Sequence, residues 1–154
     1  MSETPSSAVM PTHDVRVLAA LHAASFDDAW SELFVGALLV QPGVSALVTP
    51  ADDAQGFIMT RVADDEAEIL TLAVRPAARG RGHGGALLDA ALCLMRAQNA
   101  ARCFLEVAED NAAARALYDR AGFTPCGRRE KYYSHRTAAV VMELRLQPAA
   151  DFAR

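Results

Sequence analysis

Four glycines and an arginine share the six residues Gly80-Arg81-Gly82-His83-Gly84-Gly85, directly after Arg79. Side chains would keep an anion away from the main chain. Glycine at this density leaves backbone N–H groups able to hold phosphate-like charge at the start of a helix. The competing reading, a bare turn from strand to helix, does not call for so many glycines with two arginines among them. A Walker loop is excluded because no Gly-Lys-Ser/Thr follows. Gly80, Gly82 and Gly85 also satisfy G-x-G-x-x-G, with Glu106 downstream where a ribose-binding acid is expected. That match is accidental. Arg75-Pro76-Ala77-Ala78-Arg79 separates the glycines from their strand, and Glu106 lies inside a strand rather than at its end.

Two side chains could move protons. Glu106 interrupts the apolar run Cys103-Phe104-Leu105-Glu106-Val107, where burial would raise its carboxyl toward the range of a general base. The alternative is simple alternation onto a solvated face. Tyr118 stands 12 residues after Glu106 and seven after Asn111, about two helical turns along. Its phenol can donate a proton or merely pack, and a tyrosine can do both. Asn111 is explained completely as a helix N-cap. Tyr132 and Tyr133 could flank a bound chain or pair across strands, and Trp30 reads as core more than pocket. Arg128, Arg129 and Lys131 could attract an acidic peptide, although a charge run is usually a solvated face. His83 lies in the glycine turn. His13, His22 and His135 are scattered and build no metal set.

The elements that must hold these residues follow from periodicity and breakers. Residues 1–12 read as a flexible tail, rich in Ser, Thr and Pro. A helix is predicted from Asp14 to near Phe26. A second runs from about Trp30 with Leu33, Phe34, Ala37 and Leu38 on one face, until Pro42-Gly43 breaks it. Val44–Pro50 and Gln55–Ala63 read as strands joined by a turn at Asp52-Asp53, and Ala67–Val74 as a third. After the glycine turn, Leu87, Leu88, Ala91, Leu92 and Met95 form a helical apolar stripe. Strand Arg102–Ala108 follows, then helix Ala112–Ala121 between Asn111 and Gly122, then two strands around a polar loop up to residue 146. The order αα–βββ–α–β–α–ββ implies one α/β (α+β) domain, residues 13–147, with a mixed sheet flanked by helices and a short tail at 148–154.

The string Val74-Arg-Pro-Ala-Ala-Arg79-Gly80-Arg-Gly82-His-Gly84 resembles the V-x-P-x-x-[QR]-x-x-G-x-[GA] signature of the GNAT (GCN5-related) N-acetyltransferases. Leu105-Glu106-Val107, Asn111 through Tyr118, Ala121-Gly122-Phe123 and the basic pair before Tyr132-Tyr133 are similar to the bacterial ribosomal-protein-alanine N-acetyltransferase (RimI-like) group, as is Trp30-Ser31. The resemblance spans about residues 14–146. It implies the GNAT acyl-CoA N-acyltransferase fold and transfer of acetyl from acetyl-CoA, the cosubstrate, to a primary amine by direct attack in a ternary complex. It also implies that the glycine loop (Arg79, Gly80, Arg81, Gly82, His83, Gly84, Gly85) wraps the pyrophosphate. Leu72, Ala73 and Val74 would pair through their backbone with the pantetheine arm, and Asn111 would contact the cofactor. Glu106 would be the base and Tyr118 the acid. Trp30, Tyr132 and Tyr133 would contact the acceptor, expected to be a protein N-terminal amine. Ala138-Ala139 departs from the Asp-Ala usual in that group before the last strand. A small amine or antibiotic acceptor is the alternative, and a CoA-binding sensor without turnover ranks last because it needs neither Glu106 nor Tyr118.

Composition bounds the rest. The 154 residues are 52% hydrophobic and 22% charged, near the globular average. A net charge of −4 argues against nucleic-acid binding by counterion release. Cys93, Cys103 and Cys126 have no paired spacing and are expected as small hydrophobes, with no metal and no disulfide framework. There is no apolar run long enough for a membrane span and no basic-then-apolar leader. A cytoplasmic monomer or homodimer is expected.

Overall fold

A computed structural model describes residues 8–130 and 137–147. Tyr132 and Tyr133, with Lys131 and His135, lie outside the described residues. The chain runs β1 (Met10–Pro11), α1 (Val15–Ser25), α2 (Glu32–Leu39), β2 (Val44–Thr49), β3 (Gly56–Ala63) and β4 (Glu66–Val74). A 3-10 turn at Pro76–Ala78 leads to α3 (His83–Ala97), β5 (Arg102–Ala108), α4 (Ala112–Ala121), β6 (Thr124–Arg129) and β7 (Ala139–Arg145). Polar caps set the helix starts. Asp14, Ser31 and Asn111 each accept a hydrogen bond from the backbone N–H three residues on, at 3.2, 3.0 and 3.1 Å. Gly122 ends α4 at φ 103°, a left-handed conformation that glycine takes without steric cost.

The seven strands form one sheet in the order β1-β2-β3-β4-β5-β7-β6. Every pair is antiparallel except β4–β5, whose parallel arrangement requires the crossover that α3 supplies. One face packs Ile58, Ile69, Leu105 and Met142 against Leu87, Leu88, Leu92 and Met95 of α3 and Tyr118 of α4. On the other face Phe57 and Met59 pack against Leu18, Leu21 and Val35 of α1 and α2. All five residues of the expected α3 stripe are buried.

Two expectations change. Met10–Pro11, inside the segment read as a tail, pairs with Val48 and Leu47 as a short edge strand. The α2 face is also different. Leu33 is 84% exposed and Phe34 is exposed, whereas Val35 is fully buried with Leu38 and Leu39 partly so. A helix this uniformly apolar carries no polar stripe to set its rotation, so packing against α1 and β2 sets it instead.

Candidate active site

The site begins at an irregularity in β4. Met59 pairs with Thr71 and Thr60 with Ile69, so Leu70 is an extra residue with no partner in β3. Such a bulge bends its strand and shifts the alternation of side chains. The shift is visible here, because Ala67 and Ile69 join the α3 core but Leu72, three residues on, joins it next. The parallel pairing with β5 ends just before the bulge, at Glu68↔Phe104 after three rungs. Beyond it β4 continues to Val74 and β5 to Ala108 without each other. The two strands splay, and each presents a free backbone edge. Peptide groups on such edges need partners if they are to be taken out of water.

A cavity of about 430 Å³ fills the splay, walled by Leu70, Thr71 and Leu72 on one side and by Leu105, Glu106, Val107 and Ala108 on the other. Tyr118 and Asn111 close it from α4, and His22, Asp27, Asp28 and Trp30 from α1 and the loop that follows. Glu106 and Tyr118 reach this space from opposite faces of the sheet. Along β5, Cys103, Leu105 and Val107 are buried on the α4 side, so Glu106 points to the α1–α2 side. They share a cavity only because the sheet is parted there.

A second cavity of about 440 Å³ adjoins the first, with Phe26, Leu72, Asn111 and Ala114 lining both. It is walled by Val74, Arg79, Gly80, Gly82, His83, Gly84 and Gly85. Gly80 and Gly82 have φ of 80° and 88°, which side chains rarely adopt. Gly82 caps α3 with no side-chain bond, and the first turn of that helix carries no acid. The amide donors and the positive end of a 15-residue helix therefore face this cavity, a ready anion site. A Cβ at Gly84 would stand 3.4 Å from Leu117, so α4 packs closely on the loop. Arg79 is tied back by its Nε, which donates to the Val74 carbonyl at 2.9 Å.

The remaining expectations divide. Leu72, Ala73 and Val74, expected to act through their backbone, line the second cavity. Arg81, expected in the phosphate loop, does not line it. Trp30 is both wall and packing residue, stacked on His22 with centroids 4.4 Å apart. Glu106 is not buried. Its side chain is 42% exposed and pairs with Arg129 at 2.9 Å, so the expected desolvation is absent. Tyr118 is 6% exposed and packs edge-on against Phe123. Burial, assisted by the charge of Cys103 when ionised, pushes its phenol well above the ordinary range. The basic run is split by alternation. Arg128 pairs with Glu109 at 3.1 Å and with Glu130, whereas Arg129 turns to Glu106, so neither is free to attract an acidic peptide.

Sequence reasoning missed His22, Asp27, Asp28, Ser25 and Arg120. Trp30 N–H donates to His22 Nδ1 at 3.1 Å, which fixes that nitrogen as an acceptor, and burial lowers the imidazole below its ordinary value of 6.5. Arg120 brings a cation to the second cavity. Helical spacing from Ala113 through Leu117 to Arg120 was the available signal. Among the described residues, no group of three or more His, Cys, Asp or Glu is gathered as a metal site, and no helix is long and apolar enough to cross a membrane.

Comparison with known proteins gives consistent relatives. The sequence model of the acetyltransferase (GNAT) family matches residues 15–123. The [ribosomal protein bS18]-alanine N-acetyltransferase of Haemophilus ducreyi is 34% identical over 124 residues, covering 76% of this chain and 83% of that protein. The enzyme of the same name from Escherichia coli (strain K12) is 32% identical over 118 residues, 75% and 80% of the two chains. The crystal structure of the ribosomal-protein-S18-alanine N-acetyltransferase from Escherichia coli superposes with a TM-score of 0.87 at 26% identity, covering 96% of this chain and 99% of that one.

Proposed function

The chain belongs to the acetyltransferase (GNAT) family, and from that premise we propose that it moves acetyl from acetyl-CoA to the N-terminal α-amine of a protein. The observation that carries this reading is the parted sheet, where two adjoining cavities set a helix terminus suited to an anion beside a carboxylate and a phenol. The residues fit the cosubstrate. Gly80, Gly82, His83, Gly84 and Gly85 with the α3 terminus suit a pyrophosphate, Arg120 adds a cation, and the β4 edge beyond its pairing with β5, at Leu72, Ala73 and Val74, suits an amide-bearing arm. Bound there, acetyl-CoA supplies an activated acyl group as its thioester.

Acceptor chemistry follows from ionisation. A free α-amine has a pKa of about 7.7–8.0 against about 10.4 for lysine, so at neutral pH it yields its proton to a modest base. Glu106 takes that proton, directly or through a water, and the amine lone pair attacks the carbonyl carbon. A backbone N–H of the β4 edge would donate to the oxyanion. As the C–S bond breaks, the sulfur takes the Tyr118 proton, and the proton that the acylated nitrogen must still lose returns Tyr118 to its phenol, directly or through a water. Burial keeps this phenol protonated through the neutral range, and the same desolvation makes the departing thiolate more basic. Asn111, already engaged as the α4 cap, adds its exposed amide to the cofactor side. The acceptor's chain would run past Trp30, with Tyr132 and Tyr133 as further candidates. In this reading the catalytic domain is residues 13–147 with β1 joined to its sheet, acting in the cytoplasm where ribosomal proteins are made.

One observation favours a second acceptor class. Asp27 and Asp28 line the same cavity as Glu106, and three carboxylates attract a small polyamine as well as a peptide ammonium. The test is CoA thiol release with peptides beginning Ala, Ser or Met, against N-terminally blocked peptides with an internal lysine and against polyamines. Turnover confined to free N-termini supports the proposal. Turnover with polyamines alone replaces its acceptor, and silence with acetyl-CoA still bound overturns it.

A further inference from the structure

The geometry points to Arg129 as the positioning residue for Glu106, and this inference rests on the reading of Glu106 as the proton acceptor. Arg129 does not itself line the cleft. It is the last residue of β6, paired with Ala139, which in turn pairs with Ala108 of β5. Glu106 is two residues from Ala108 and so shares its face of the sheet. The guanidinium therefore crosses the β7 register position of Ala139, where the intervening side chain is a single methyl, to place Nη2 2.9 Å from Glu106 Oε2. Gly127, the β6 position in register with Glu106 through Val141, presents no side chain to compete.

Three facts argue that the pair serves chemistry. Both side chains are about half exposed, at 51% and 42%, and ion pairs so open to water add little to stability. Among the described residues, the wall of the cavity holding Glu106 carries Asp27 and Asp28 as further carboxylates and no lysine or arginine. Arg129 thus brings from outside that wall the positive charge that offsets their repulsion. Finally, the neighbouring Arg128 is directed to Glu109 and Glu130, so each of the two adjacent arginines has a separate carboxylate to hold. With Oε2 committed to Arg129, the carboxylate is fixed in rotation and Oε1 is the oxygen left for the amine proton. An exposed glutamate without this tether samples many rotamers.

Arg129→Met, Arg129→Gln, Arg129→Lys, Glu106→Gln and the double variant Glu106→Gln/Arg129→Met test this in the thiol-release assay, at raised enzyme concentration for the slow forms. Arg129→Met should lower kcat about tenfold while acceptor KM moves less than about twofold and melting is unchanged. Lysine, a point charge on a long stem, should restore part of the loss, and glutamine, which keeps the stem without the charge, should not. In the Glu106→Gln background the arginine substitution should cost nothing further, because a residue acting only through another has no independent effect. Equal losses in both backgrounds, or no loss with Glu106 intact, overturn the inference and leave the role of Glu106 standing. Wild-type turnover in Glu106→Gln overturns both.

Discussion

Tyr118 and His22 have opposite ionisation problems, and each makes a prediction. Burial raises the phenol, so it stays protonated across the neutral range, as the proposed donor role requires. Tyr118→Phe keeps the ring packed edge-on against Phe123 at 5.6 Å. Steady-state kinetics should show kcat falling about 10²-fold, the usual scale for losing one proton donor, with melting within about 1 kcal/mol of wild type. His22 is neutral because burial lowers it and because Nδ1 accepts from Trp30 N–H. As pH falls below 6.5, the unfolded chain takes up a proton that the folded imidazole resists. Stability is therefore lost on the acid side, and the loop carrying Asp27, Asp28 and Trp30 loosens first. Acceptor KM should rise below pH 6.5 more steeply in wild type than in His22→Asn, whose amide oxygen can replace Nδ1 as acceptor without titrating.

At the scale of elements, the glycine turn and α3 separate conformation from chemistry. Gly82 sits at φ 88° although a Cβ there would meet nothing within 4 Å. Gly82→Ala should thus cost about 1–2 kcal/mol through backbone strain alone, read as a lower melting temperature together with weaker acetyl-CoA binding. Gly85 is inside α3 at an ordinary φ with the same open space. Gly85→Ala should gain about 0.5–1 kcal/mol of stability, the helical preference for alanine, while raising acetyl-CoA KM because its methyl enters the anion-binding turn. The α3 stripe and the Asn111 cap were legible because helix start, period and stop are local. The α2 face was not, since Glu32–Leu39 holds apolar residues all round and only its neighbours choose among them.

At the scale of the molecule, two core groups set the alkaline limit. The Cys103 thiol, fully buried, is pushed from 9.0 up to about 12 by burial, with the Glu68 charge adding to it, while the Ile69 backbone opposes. Tyr118 is raised as well. Above pH 9 the unfolded chain releases protons that the folded core retains, so stability is lost as pH climbs from 9 toward 12. Thermal melts across that window should show the fall, and Cys103→Ala should flatten it despite a lower starting melting temperature from the small cavity it leaves.

The sequence by itself determined the order of elements from α1 onward, the glycine-rich turn before α3, and Glu106 and Tyr118 as the pair to watch, because each rests on near neighbours in the chain. Only the tertiary structure decided that Glu106 is open and tied to Arg129, and that His22, Asp27 and Asp28 face it. It also decided that the Leu70 bulge ends the β4–β5 pairing and lets residues from both faces of the sheet meet. The reason is distance along the chain. Arg129 and Glu106 are 23 positions apart and joined through a third strand, and a register shift between strands leaves no mark in the composition of either.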